Sequence, residues 1–182
     1  PARRQRQMCI RDRDVGDVNG DGRPDIVASL WGDTDPRRLM IVLQQTDGSW
    51  AEPRYQLNGG SDSLTLGDLN GDGRLDLALT GGHMLQQADG DFGAFIMFPD
   101  GFGFGTSAVT LADIDRDGRL DIVSRSLYDG VVRLVVQLQQ AGGALAPPQA
   151  YRSDGLGNSY STLLALDTDG NGLIDLIDGN TC

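Results

Sequence analysis

The 182-residue chain contains no lysine and a single histidine, His83; all 15 of its basic residues are arginine. The uniform choice of arginine reads as a base-composition bias of the source genome. Cysteine is scarce, with only Cys9 and Cys182, so cysteine spacing supports no disulfide framework. No apolar run reaches 18 residues, which leaves no candidate for a membrane-spanning helix. No segment of about ten residues carries a 3.6-residue apolar period, which predicts almost no helix. A formal net charge of −11 argues against phosphate-rich nucleic acid as a partner. The 26 glycines follow no G-X-Y period, so collagen is excluded and frequent turns are expected.

The acidity is concentrated. Thirteen of the 26 acidic residues fall in four short stretches: DVNGDGRPDIV from Asp17, DLNGDGRLDLA from Asp68, DIDRDGRLDIV from Asp113 and DTDGNGLIDLI from Asp167. Their starts are 51, 45 and 54 residues apart. Self-similarity at that period suits a four-stranded propeller blade or another supersecondary unit of about 40–50 residues.

Numbered from its first Asp, each stretch places oxygen-bearing side chains at positions 1, 3, 5 and 9. These are Asp17, Asn19, Asp21 and Asp25; Asp68, Asn70, Asp72 and Asp76; Asp113, Asp115, Asp117 and Asp121; and Asp167, Asp169, Asn171 and Asp175. Position 6 is always glycine, which allows a sharp turn. Position 7 is Arg23, Arg74, Arg119 or Leu173, and its backbone carbonyl is the expected donor there. Alternate oxygens of this kind can wrap one hard cation, and all-oxygen donation selects Ca²⁺ over zinc or copper. Mg²⁺ is less suited, since it rarely takes an all-protein cage. Up to four Ca²⁺ sites are therefore expected. An EF-hand is disfavoured: position 12 is Ala28, Leu79, Ser124 or Asp178 rather than Glu, and the residues after each loop alternate as a strand. A hydrated Asp/Asn/Gly turn without metal is the bland alternative for any one loop, and fourfold recurrence weighs against it.

The remaining segments fill out the unit. SLTLG and AVTLA precede the second and third loops; PDIVAS, LDLALT, LDIVSR and LIDLID come after the four; LMIVLQQ, AFIMF and VVRLVVQLQQ read as third strands. Gly turns are expected at Asp47-Gly48, Asp100-Gly101 and Gly142-Gly143, with fourth strands in SWAEPRYQL and ALAPPQAYR. The predicted fold is all-β: a propeller fragment of about three to four four-stranded antiparallel blades over residues 14–182. Residues 3–13, RRQRQMCIRDR, resemble over all eleven positions the in-frame translation of a transposon sequencing adapter. Residues 1–13 are accordingly expected to stand outside the fold as a non-native segment, leaving the first unit without an opening strand. The chain is further expected to be part of a larger propeller whose other blades complete it.

The stretches GDVNGDGRPDIV and GDLNGDGRLDLAL resemble the FG-GAP and VCBS repeats, the calcium-loop blades of propellers like those of integrin α-subunits. Phe104-Gly105 stands where the family's Phe-Gly falls, while Thr80 to Gly82 reads TGG in place of its GAP. The resemblance implies a secreted or surface-exposed propeller of about seven blades, used in adhesion or in binding glycans and proteins. Some bacterial relatives are fused to or form polysaccharide-degrading enzymes, so the propeller portion of a lyase-like enzyme is the alternative expectation.

In an up-down meander the calcium loops and Gly turns share one end. The opposite end is then expected to carry WGDTDPRR, GGHMLQQADGDFG and SLYDG, with Trp31, Arg37, Arg38, His83 and Tyr128 as recognition residues. Packing between blades is the competing role for the two aromatics. No nucleophile pairs with His83 by pattern, so no catalytic constellation is visible.

Overall fold

The computed structural model describes residues 9–32, 35–57, 61–98, 108–128, 131–152 and 161–180. Among them there is no helix, and every regular element is a strand. β1 (Cys9–Gly16), β2 (Asp25–Gly32), β3 (Asp35–Val42) and β4 (Arg54–Leu57) form the first sheet in sequential order. β5 (Leu64–Gly67), β6 (Asp76–Leu79), β7 (Gly82–Met84) and β8 (Ile96–Met97) form the second. β9 (Ala108–Ala112), β10 (Asp121–Tyr128), β11 (Val131–Gln137) and β12 (Gln149–Arg152) form the third, and β13 (Ser161–Leu166) pairs with β14 (Asp175–Asn180). All neighbouring strands are antiparallel.

The first strands of the four units line up. β1 lies against β5, β5 against β9, and β9 against β13. Sheets stacked around an inner row of first strands bury apolar side chains on the faces they turn to each other, and the core divides accordingly. Val27, Leu39 and Ile41 of the first sheet pack with Leu64, Leu77 and Met84 of the second. Ala78 and Phe98 of the second meet Val109 and Ile122 of the third. Val123 and Val136 of the third meet Leu163. This is an all-β, propeller-like stack, in which the inner strands of the middle sheets are largely buried while their outer strands β8 and β12 are exposed.

The glycine just before each of the first two acidic loops has a steric reason, while Ala112 and Leu166 precede the other two. A Cβ on Gly16 would lie 2.6 Å from Leu75 Cδ1 of the next sheet. One on Gly67 would lie 2.5 Å from Leu111 Cδ1 and 2.8 Å from Leu120 Cδ1 of the third sheet.

Three expectations are corrected. The first unit does have an opening strand: Cys9 to Arg13 extend β1 in register with β2, past an irregularity between Ile10 and Asp12. Asp12 and Asp14 then accept the Leu64 and Leu66 amides of β5 at 2.8 Å each, which fixes β1 beside its neighbour. In the second unit AFIMF is not the third strand. Gly81, at φ 92°, turns the chain immediately after β6, so GHM becomes the third strand and Ile96–Met97 the fourth. The second Gly turn consequently falls at Asp89-Gly90; Asp100-Gly101 and Phe104-Gly105 lie outside the described residues.

Each Gly turn follows one design. Gly48, Gly90 and Gly143 donate to the carbonyls of Gln45, Gln87 and Gln140, and take φ of 81°, 85° and 82°. A tight turn followed by a left-handed glycine joins two antiparallel strands without splaying them.

Candidate metal centre

The acidic loops join the first strand of each unit to the second and are built alike. Asp17 Oδ1 accepts the amides of Gly20 and Asp21 at 2.8 and 3.0 Å, and Oδ2 accepts that of Gly22 at 2.7 Å. Asp68 and Asp167 repeat all three bonds; Asp113 repeats those from Asp117 and Gly118. The backbone can present those amides only by entering the left-handed region twice. Position 6 does so at φ 80–85° in Gly22, Gly73, Gly118 and Gly172. Position 4 does so at 74–76° in Gly20, Gly71 and Gly170, and at 65° in Arg116. Arginine there costs the third loop about 1 kcal/mol that glycine avoids. Motif matching picks out the position-6 glycines and passes over position 4, where three glycines in four are the available signal.

Position 9 plays a second structural part. Asp25, Asp76 and Asp121 are fully buried at the start of their strands. Asp25 Oδ2 accepts the Val18 amide at 3.1 Å and Oδ1 the Gln44 amide at 2.8 Å. Asp76 holds Leu69 and Gln86 in the same way, and Asp121 holds Ile114 and Gln139. Burial pushes the Asp76 and Asp121 carboxyls up, these amide bonds oppose the rise, and repulsion from Asp72 and Asp68, or from Asp115 and Asp113, adds to it. At Asp17 burial also pushes upward, but the summed amide bonds outweigh it and the carboxyl lies below its usual range.

Three carboxylates gather in each of the last two loops. Asp113, Asp115 and Asp117 bring carboxylate oxygens within 4.8 Å of one another, as do Asp167, Asp169 and Asp175. Asn19 and Asn70 replace one carboxylate in the first two, and each donates to position 5, Asp21 or Asp72. Position 7 is more than a carbonyl donor. Arg23, Arg74 and Arg119 pair their guanidinium groups with Asp21, Asp72 and Asp117, and their Nε groups donate to the carbonyls of Gln44, Gln86 and Gln139. Loop and Gly turn therefore lock together at one end of each sheet, the shared end expected of a meander.

Those glutamines support the loops, and motif matching does not find them. They open the recurrent LQQ runs at Leu43, Leu85 and Leu138. Gln86 Nε2 donates to the Val18 carbonyl in the loop of the first unit at 2.7 Å. Gln139 Nε2 donates to the Asp68 carbonyl in the loop of the second at 3.1 Å. The first two acidic loops are thus each fastened to the next sheet. Gln86→Ala is expected to cost about 1–2 kcal/mol by stranding a buried carbonyl, read as a lower urea midpoint at unchanged slope. Ala at the exposed neighbour Gln87 should leave the midpoint nearly unmoved.

The expected recognition residues fall in three different sheets. Trp31, Arg38 and Tyr128 occupy strand ends remote from the loops; the side chains of Trp31, Arg37 and Tyr128 lie outside the described residues. Arg38 is half-buried. His83 is in β7 rather than in a connection, because the β6–β7 turn is so short. It stacks on Phe98 at 6.3 Å, and burial holds its imidazole below the usual range.

Repeated antiparallel sheets stacked through their first strands, each carrying the same acidic loop between its first and second strands, define a β-propeller-type repeat module. Residues 17–79 match the model of the FG-GAP-like repeat, so this chain carries a repeat of that family. The match runs from the first loop to the end of β6; the loops at Asp113 and Asp167 repeat its geometry beyond it. A search of curated proteins finds no match. Among the described residues no helix is long and apolar enough to cross a membrane.

Proposed function

We propose that this chain is a calcium-binding repeat module that presents a recognition surface to a protein or glycan outside the cell, as a secreted or cell-surface molecule. The observation that carries the calcium reading is the recurrence of one loop geometry with all-oxygen donors, gathered within 4.8 Å in two of the four loops. The donor set fits a hard cation: positions 1, 3, 5 and 9 offer carboxylate or amide oxygens, position 7 a carbonyl, and no sulfur or imidazole intrudes. Bound Ca²⁺ would supply the positive charge that offsets the clustered carboxylates. Asp68 and Asp72 already repel Asp76, and Asp113 and Asp115 repel Asp121.

Calorimetric titration of the intact chain tests this reading. Up to four sites with Kd of about 10⁻⁴–10⁻³ M are expected. Asp117→Ala should remove one site, whereas Arg119→Ala should keep it, since the arginine side chain offers no oxygen donor and alanine retains the backbone carbonyl at that position. Equal stoichiometry in both variants would count against liganding by Asp117. For recognition, Trp31, Arg37, Arg38, His83 and Tyr128 are the proposed contact residues, and a glycan array read with and without calcium is the direct assay.

A further inference from the structure

The joints between successive sheets all bring together the same two faces. Counted from the first Asp of its loop, position 11 turns to the following sheet: Val27, Ala78 and Val123 lie in successive core clusters, each 0% exposed. Ile177 holds position 11 in the fourth unit and is 42% exposed. The residue two places before a loop turns to the preceding sheet, where Leu66 and Leu111 pack into the core. Val15 holds that place in the first unit and is 56% exposed. Tyr55 and Leu57 widen the exposed face of the first sheet, and Leu164 and Leu166 that of the fourth. The two outer faces of the described stack are therefore the two halves of its own internal joint, and contiguous apolar faces of this kind mark an interaction surface.

Two details fit these halves to each other. At the first two joints a glycine before the loop faces a leucine, Gly16 with Leu75 and Gly67 with Leu120. The matching positions on the two outer faces are Leu166 on the fourth sheet and Pro24 on the first, both exposed. A large residue before the loop is there matched with a smaller one opposite, which reverses the first two joints and keeps the bulk of the seam nearly constant. Gln86 and Gln139 reach back to the loop carbonyls of Val18 and Asp68 in the preceding unit. Gln44 holds the same place in the first sheet, and its side-chain amide has no hydrogen-bond partner among the described residues.

We propose that the outer face of the fourth sheet in one molecule docks on the outer face of the first sheet in a second copy of this chain. The contact is heterologous, and it continues between molecules the joint already made within one, where first strand lies against first strand. Leu166 then meets Pro24 and Val15, as Gly16 meets Leu75 and Leu66. Ile177 joins that seam as Val27 joins the first. Gln44 finds its acceptor in the Asp167 or Thr168 carbonyl of the neighbouring copy.

Sedimentation velocity of the whole chain tests this, in calcium buffer at about 0.15 M salt, where repulsion between acidic copies is screened beyond about 8 Å. The unmodified chain should gain mass between about 2 and about 200 µM, the range that brackets a micromolar contact. Val15→Asp and Ile177→Asp each charge one half of the joint at an exposed position, so each alone should stay monomeric. Their equimolar mixture should regain a two-copy species and nothing larger, because the intact fourth sheet of Val15→Asp meets the intact first sheet of Ile177→Asp. Gln44→Ala should weaken association about three- to tenfold, the worth of one neutral hydrogen bond. Leu164→Asp takes the place of Ile177→Asp if circular dichroism shows that variant unfolded. An unmodified chain that stays monomeric would overturn the proposal and leave these faces to other blades or to a different partner. Association surviving in either single Asp variant, a mixture that stays monomeric, or undiminished association in Gln44→Ala would overturn it equally.

Discussion

Chelation with EDTA is expected to lower the melting temperature of this chain by about 3–22 °C relative to 1 mM calcium. The magnitude comes from linkage. A site at millimolar calcium stabilises the folded state by about 1.4 kcal/mol for Kd of about 10⁻⁴ M and about 0.4 kcal/mol for about 10⁻³ M, and four such sites by about 2–6 kcal/mol. For a domain of this size each kcal/mol moves the midpoint by about 2–4 °C. The loops are well placed to transmit the effect: the position-9 carboxylates that would complete each cage also hold the Gln44, Gln86 and Gln139 amides at 2.7–2.8 Å. Magnesium at equal concentration should restore little of the loss. A melting temperature indifferent to EDTA would sink the calcium reading and leave the loops as self-satisfied turns.

Gly143→Ala produces the second large effect, about 2–5 kcal/mol of destabilisation, and its neighbour provides the control. Both glycines are left-handed, at φ 93° for Gly142 and 82° for Gly143. Alanine pays about 1–2 kcal/mol for that conformation at either. Only at Gly143 would the new Cβ meet another sheet, 2.2 Å from the Asn70 carbonyl oxygen and 2.9 Å from Asn70 Cα; nothing lies within 4 Å at Gly142. Backbone cannot yield as a side-chain tip does, so forcing the second loop away from the third sheet adds about 1–3 kcal/mol. Chemical denaturation of the two variants separates strain from collision. Equal losses would mean that the sheets are not packed against each other at this turn.

Both results turn on features that differ in how openly the sequence displays them. The loops are legible because their chemistry is local: Asp, Asn and Gly at fixed offsets, followed by Leu or Ile alternation, dictate a turn and then a strand. The second unit is easily misread because two cues compete. AFIMF is the more hydrophobic run, yet Thr80-Gly81 is a turn, and the short GHM segment satisfies the ladder first. Hydrophobicity alone cannot rank them, since Ile96 and Met97 of the more apolar run are exposed in the outer strand while Gly82 and Met84 of GHM are buried. The Gln86 and Gln139 links are invisible for a different reason. They join residues 68 and 71 positions apart, and a glutamine beside a turn carries no local signal of a distant carbonyl. Cys9 to Arg13 show the reverse case, where an unpromising stretch is drafted into a ladder because the edge of β2 extends past Ala28.

The bare backbone at Gly16 and Gly67 bears on how such a chain can grow. Each accepts a leucine from the following unit, Leu75 in one case and Leu120 in the other, at equivalent positions of their loops. The seam is therefore nearly the same at the first two joints, with Ala112 and Ile174 at the matching positions of the third. Duplication or loss of one whole unit by recombination would bring an equivalent leucine to an equivalent notch, whereas an exchange breaking inside a unit would separate the two halves of the fit. Lineages carrying these sheets should vary more readily in how many they have than in where each one starts.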